Sequence, residues 1–173
     1  MSRLVLLCVE CDSRSRTDYM YITSTIKHYY IDDRKVIYRP IFLGSKTKYN
    51  DKGKISEILD AGRDFSGEVA VIYFIDTDSI NVSNEARALN RDIQEYCLKK
   101  GYDLVFFCED VEDVYHGERV HNKEKVKMAD KFSRNGLING VDEARLRSEQ
   151  MQRHKSNILN VLDKYWKRRA TLI

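Results

Sequence analysis

The chain has little of what loosens or interrupts structure. Its 173 residues include one proline and eight glycines, so neither a linker nor a low-complexity tract is expected. No apolar run approaches the roughly 20 residues of a membrane span, so no membrane association is expected. The apolar run after Met1-Ser2-Arg3 is short, Leu4 to Val9. Acidic and polar residues follow it without a small-residue cleavage site. That argues against a signal peptide and makes the cytoplasm the expected location. Cysteine is scarce: Cys8, Cys11, Cys97 and Cys108. Cys8 and Cys11 have CxxC spacing, but a zinc site needs a second ligand pair and none follows at suitable spacing. The four read as reduced packing residues. No glycine-rich phosphate loop follows the first apolar run, which disfavours dinucleotide binding. Nor does either sign of charge dominate. Lys and Arg number 30 against 27 Asp and Glu, a balance too mild to argue for nucleic acid by itself.

What is present is globular patterning. Apolar residues make up 42% of the chain and charged residues 33%, which suits one soluble domain with a sizeable core. Leu4–Val9 is apolar without alternation, as in a strand covered on both faces. Lys35–Phe42 reads as a second strand, in which Pro40 suggests an edge position or an irregularity. Val69–Ile75 is the strongest strand signal and belongs at the sheet centre. Tyr102–Cys108 is a fourth strand. Between them lie helical patterns. One starts at Ser15-Arg16-Thr17-Asp18, a hydroxyl three residues before an acid, and carries Ile22, Ile26 and Tyr29. A second carries Ile55, Ile58, Leu59, Gly62 and Phe65. A third carries Ala86, Leu89, Ile93, Tyr96 and Cys97 and stops at Gly101. Short helical segments follow from about Val111 to Phe132. A longer C-terminal helix is predicted around Ile158, Val161, Leu162 and Tyr165.

Strands alternating with helices predict an α/β fold: one Rossmann-like three-layer domain over residues 1–173, with a mostly parallel four-stranded sheet. About 1–115 forms the core and about 116–173 a helical C-terminal extension. Open parallel sheets bind ligands beyond the carboxyl ends of their strands. Three acidic clusters fall there: Glu10 and Asp12, Asp76 and Asp78, and Glu109, Asp110 and Glu112. If the first and third strands are neighbours, Glu10 meets the Asp pair. Converging carboxylates are costly unless a cation neutralises them, and hard oxygen donors suit Mg²⁺ or Mn²⁺. The plainer alternative is that these acids are solvated or cap the next helix, as Asp78 or Ser79 would.

Basic residues surround this end. Arg14 and Arg16, in the loop after Glu10, are placed to clamp a phosphate. Lys46, Lys48, Lys52 and Lys54, with Tyr49 among them, form a second basic loop able to follow a nucleic-acid backbone. The alternative for both is a solvated loop. His116, Arg119, His121, Lys123, Lys125 and Lys127 form a third stretch, which interspersed acids mark as a solvated helix face. His116 is a candidate proton shuttle or a structural residue.

Glu10 in LVLLCVE and Asp76-Thr77-Asp78 in VAVIYFIDTD resemble the Toprim signature, a Glu after the first strand and a DxD after a later central one. Glu10-Cys11-Asp12 followed by Thr17-Asp18-Tyr19-Met20-Tyr21 is similar to the first motif of the small RloB-like Toprim proteins, found beside restriction and abortive-infection loci. The similarity covers about residues 3–115. It departs at Cys11, where the family has a small Gly, in the longer gap before Thr17, and at Cys108-Glu109-Asp110-Val111-Glu112, where an Asn-Pro motif is usual. The resemblance implies Mg²⁺- or Mn²⁺-dependent nuclease or phosphotransfer chemistry on RNA or DNA, in a phage-defence setting. Asp76 and Asp78 would bind metal, and Glu10 would act as general acid or base or as a metal-linked group. Glu112 is a weaker match to the acidic end of the third motif. The alternative is a non-catalytic subunit that binds nucleotide or nucleic acid beside an ATPase partner.

Overall fold

The computed structural model describes residues 1–78 and 83–170. The four strands are β1 (Arg3–Val9), β2 (Val36–Phe42), β3 (Glu68–Asp76) and β4 (Asp103–Phe107). They form one sheet in the order β2-β1-β3-β4, with every pairing parallel. The expected α/β architecture is therefore the observed one, with Pro40 on the edge strand β2 and Val69–Ile75 inside the central β3.

Side chains of successive strand residues point to opposite faces. Val5, Leu7, Val9, Ile72 and Phe74 pack on one face, and Leu4, Leu6, Cys8, Val71, Tyr73 and Ile75 on the other. Both sets are buried, which explains why β1 and β3 are apolar without alternation. Helices α2 (Lys52–Arg63) and α3 (Asn84–Lys100) cover the second face through Ile58, Ile93 and Cys97. Ser83 caps α3 by accepting the Ala86 N–H, and Gly101 ends it at φ 67°, a left-handed conformation that glycine adopts without a Cβ penalty. Ser79 lies outside the described residues.

The first face is covered by α1 (Thr17–Tyr29), α4 (Val111–His116), α5 (Lys125–Arg134) and α6 (Ile158–Leu162). Residues beyond 116 are thus part of the main core: Phe132, Leu146, Ile158 and Leu162 pack in one cluster with Val5, Leu7 and Phe74. Two expectations change here. The hydroxyl-acid box at the start of α1 does not form. Arg16, at φ 52°, precedes the helix without a side-chain cap, and Asp18 turns back into the site. The C-terminal helix is only five residues long. Beyond it the chain leaves the helix to pair with the end of α1, through Ile31 N–H to Lys167 O at 3.0 Å and Arg169 N–H to Tyr29 O at 2.9 Å. No described helix is long and apolar enough to cross a membrane.

Candidate metal centre

The register of β1 on β3 pairs Cys8 with Tyr73 and Val9 with Phe74. The next residue on β1 is Glu10, which leaves the sheet level with the end of β3. Its Oε2 accepts the Asp76 N–H at 3.1 Å. Neighbouring strands have therefore brought together the two acids singled out in the sequence.

Other acids join them. Asp18, in the first turn of α1, accepts the Cys11 N–H on Oδ2 at 3.0 Å and the Thr17 hydroxyl on Oδ1 at 3.0 Å. Asp110 caps α4, its Oδ1 accepting the Asp113 N–H at 2.8 Å. Glu112, in the first turn of α4, is 1% exposed, and its Oε1 has no hydrogen-bond partner among the described residues. Burial is the largest influence on Asp76, followed by the charges of Asp18, Glu10, Glu112 and Asp110; together they hold its carboxyl well above the usual range. Burial likewise pushes Glu10 up to about 7. The Asp76 N–H and Lys46 oppose that rise, while Asp18 and Asp78 add to it. Asp18 and Glu112 are raised, again chiefly by burial.

Two ammonium groups flank the acids. The Lys46 side chain is 6% exposed and pairs with Asp78 Oδ2 at 2.5 Å. Its Nζ also donates to the Asp76 carbonyl at 2.6 Å and to Asn90 Oδ1 at 3.4 Å. The basic loop expected around it is in fact a 3₁₀ turn, Lys46–Lys48, leading into α2, and it points this lysine inward. On the other side, Lys125 Nζ donates to Glu112 Oε2 at 2.7 Å and to Asp110 Oδ2 at 3.1 Å. Glu10, Asp18 and Asp76 have no ion-pair partner among the described residues.

The remaining expected residues are more peripheral. Asp78 is 58% exposed on its side chain and sits at the rim, turned to Lys46. Arg14 and Lys48 are exposed. Arg16 is exposed too, with its guanidinium over the Phe42 ring at 5.6 Å from the centroid. His116 bonds to the Tyr21 hydroxyl at 2.8 Å and packs edge-on to Phe132, and burial lowers its pKa; that is a structural environment. Cys8, Cys97 and Cys108 are buried free thiols and Cys11 is partly buried, as packing residues should be. Asp18 and Lys125 were not legible as site residues. The first looked like a helix-start acid and the second like one cation of a solvated face.

The backbone is strained here. Among the described residues four non-glycine residues have positive φ, and three of them, Arg16, Asp78 and Glu109, border the site. Such conformations cost on the order of 1–3 kcal/mol each and persist only where the surroundings over-determine them. Asp78 and Glu109 are held by a bridge past the sheet end, with Asp78 N–H donating to Glu109 O at 2.9 Å and Glu109 N–H to Thr77 Oγ1 at 3.0 Å.

The donor set is all carboxylate, the chemistry that suits Mg²⁺ or Mn²⁺, and Glu112 Oε1 is an orphaned buried acceptor. In donor type alone, then, the residues suit such an ion. Among the described residues, however, no three acidic, His or Cys side chains stand at ligand spacing. Glu10 and Asp18 would have to turn from the backbone N–H groups they now accept.

Fold and site together define an all-parallel α/β domain with a carboxylate cluster at the carboxyl end of its central strands. No family model, curated protein or solved structure matches the chain.

Proposed function

We propose that the protein is a Mg²⁺- or Mn²⁺-dependent enzyme of the Toprim type that hydrolyses or transfers phosphodiesters of RNA or DNA. The observation that supports this reading best is the junction of Glu10 with Asp76 across β1 and β3, inside a group of acids that burial and mutual repulsion hold above their usual pKa. Perturbed carboxyls are the kind that functional sites gather, and open parallel sheets bind their ligands at the carboxyl ends of the strands. Asp76 and Glu10 would hold the ion, with Asp18 beside them and Asp78 at the rim. A bound ion would supply Lewis-acid polarisation of a phosphoryl oxygen.

The chain's own residues have distinct tasks. Burial holds the Glu10 carboxyl up at about 7 without metal, so binding an ion there would release a proton from it. Lys46 fixes the Asp76 backbone and answers the Asp78 charge. Arg14, Arg16 and Lys48 are exposed and available to phosphates of a bound strand. The test is cleavage of end-labelled single- and double-stranded RNA and DNA with Mg²⁺ or Mn²⁺. Wild type should cut at least one substrate, and Glu10→Gln and Asp76→Asn should lose at least 100-fold. Activity that survives both substitutions contradicts the reading.

A second reading rests on the want of three donors at ligand spacing. On it, the chain is a non-catalytic subunit that binds nucleotide or nucleic acid beside an ATPase. It predicts ligand binding without turnover by the isolated chain.

A further inference from the structure

The third basic stretch, His116 to Lys127, divides in the structure. His116 packs on Tyr21 and Lys125 on the acids of α4. Between them, residues 117–124 form the loop that joins α4 to α5, not the helix face that the sequence suggests. Arg119, His121, Asn122 and Lys123 are exposed, and with Val120 they line a cavity of about 640 Å³. The cavities beside α1 and α3 are smaller, at about 210 and 250 Å³. Val120 is buried and pins the loop to the body of the protein. Arg119, His121 and Lys123 have no ion-pair partner among the described residues, whereas Lys125 has two. Glu118 and Glu124 flank the loop in sequence but do not line the cavity. The loop also has a fixed place. Beyond the ends of β3 and β4, Asp78 N–H donates to Glu109 O at 2.9 Å. Asp110 comes next, and Lys125, at the exit of the loop, returns to it at 3.1 Å. The exit is thus tied to the carboxyl end of the sheet, and the entry is one six-residue helix away.

We propose that this cavity binds the phosphate backbone of a nucleic-acid strand, with Arg119 and Lys123 as its main cationic contacts. This rests on the nucleic-acid reading above and requires no metal. The lining supplies N–H donors from a guanidinium, an ammonium, an amide and an imidazole, groups that meet phosphate oxygens. No carboxylate among the described lining residues repels a polyanion. No Phe, Tyr or Trp ring stands among them for a base to stack on, the usual way in which single strands are gripped by their bases. Contact therefore falls on the backbone, so binding tolerates any sequence and weakens steeply as salt rises.

A loop that is merely solvated makes a different forecast, since its charges would matter no more than any others. Fluorescence anisotropy of labelled single-stranded RNA and DNA oligonucleotides, on the full chain with EDTA present and across a NaCl series, separates the two. Wild type should bind. The double variant Arg119→Ala, Lys123→Ala should bind about 10-fold more weakly, with the slope of log K against log salt reduced by about 1–1.5. The double variant Lys99→Ala, Lys100→Ala removes the same charge where α3 ends, at the opposite end of the sheet, and should bind as wild type does. Because Arg119 and Lys123 are exposed, their double variant should melt at the wild-type temperature; a lower one would mark them as structural and count against the proposal. Equal binding by wild type and this variant, an equal loss in both double variants, or displacement of the strand by ATP at equal phosphate concentration would overturn the proposal while leaving nucleic-acid binding elsewhere on the chain standing. No binding by wild type would overturn the nucleic-acid reading and the proposal with it.

Discussion

Glu10→Gln should make the metal-free protein more stable at pH 8 and leave it unchanged at pH 4.5. The Glu10 carboxyl is moved from an ordinary 4.5 to about 7, first by burial. Between these values the native state keeps a proton that the unfolded chain has lost. Stability therefore falls as pH rises through that window and levels off above it. At about 1.4 kcal/mol per pH unit the full cost is roughly 3 kcal/mol. Glu10 retains some contact with solvent, which trims the figure to about 1–3 kcal/mol. Gln keeps an oxygen for the Asp76 N–H and never ionises, so it escapes the cost. For a chain of this size the gain corresponds to a melting temperature higher by about 2–10 °C at pH 8. Differential scanning calorimetry at pH 4.5 and pH 8, with EDTA present, measures it. A variant less stable than wild type at pH 8, or equally stabilised at both pH values, would refute the reasoning.

Other expectations follow from the same geometry. Lys46→Met leaves the Asp76 carbonyl, the Asn90 amide oxygen and the Asp78 carboxylate without their shared ammonium; urea unfolding should show a loss of about 1–3 kcal/mol. Because Lys46 opposes the rise at Glu10, the same variant should titrate Glu10 at higher pH by NMR, and an unchanged midpoint would argue against their proximity. Phe74→Ala, at the centre of β3 and 1% exposed, should cost about 3–5 kcal/mol by the same unfolding assay. Burial raises the Cys8 thiol and pushes Cys97 up to about 12. Both should resist Ellman's reagent at pH 8 until denaturant is added, and rapid labelling of either in the native protein would contradict their placement.

The sheet was legible because burial on both faces leaves a plain mark. Leu4–Val9 and Val69–Ile75 are unbroken apolar runs, and Pro40 belongs where one side of a strand has no partner. Glu10 and Asp76 were legible because parallel topology fixes where strands end. The rest of the site depends on contacts that no local pattern records. Asp18 follows a threonine at a helix start, where an acid ordinarily favours the helix dipole; its burial comes from the way α1 folds back onto the Cys11 N–H. Lys46 lies in a basic stretch that reads as a loop for a nucleic-acid backbone or a solvated one, and Lys125 in a stretch that reads as a solvated face; only tertiary packing turns their ammonium groups inward. The C-terminal pattern at Ile158, Val161, Leu162 and Tyr165 does mark a buried face, but it outlasts the helix. Tyr165 bonds to Asp103, and the pairing of Lys167 and Arg169 with the end of α1 draws the chain out of helical conformation.

The most direct test of the metal centre is thermal unfolding of wild type and Asp76→Asn at pH 7.5 across a Mg²⁺ series. Asn never ionises and so escapes the cost that burial and the neighbouring acids put on the Asp76 carboxyl, which should raise the melting temperature of Asp76→Asn without metal. Wild type should then climb with added Mg²⁺, as a ligand bound only to the native state requires, while Asp76→Asn stays level. Equal shifts in both proteins, or none in wild type, would contradict the account.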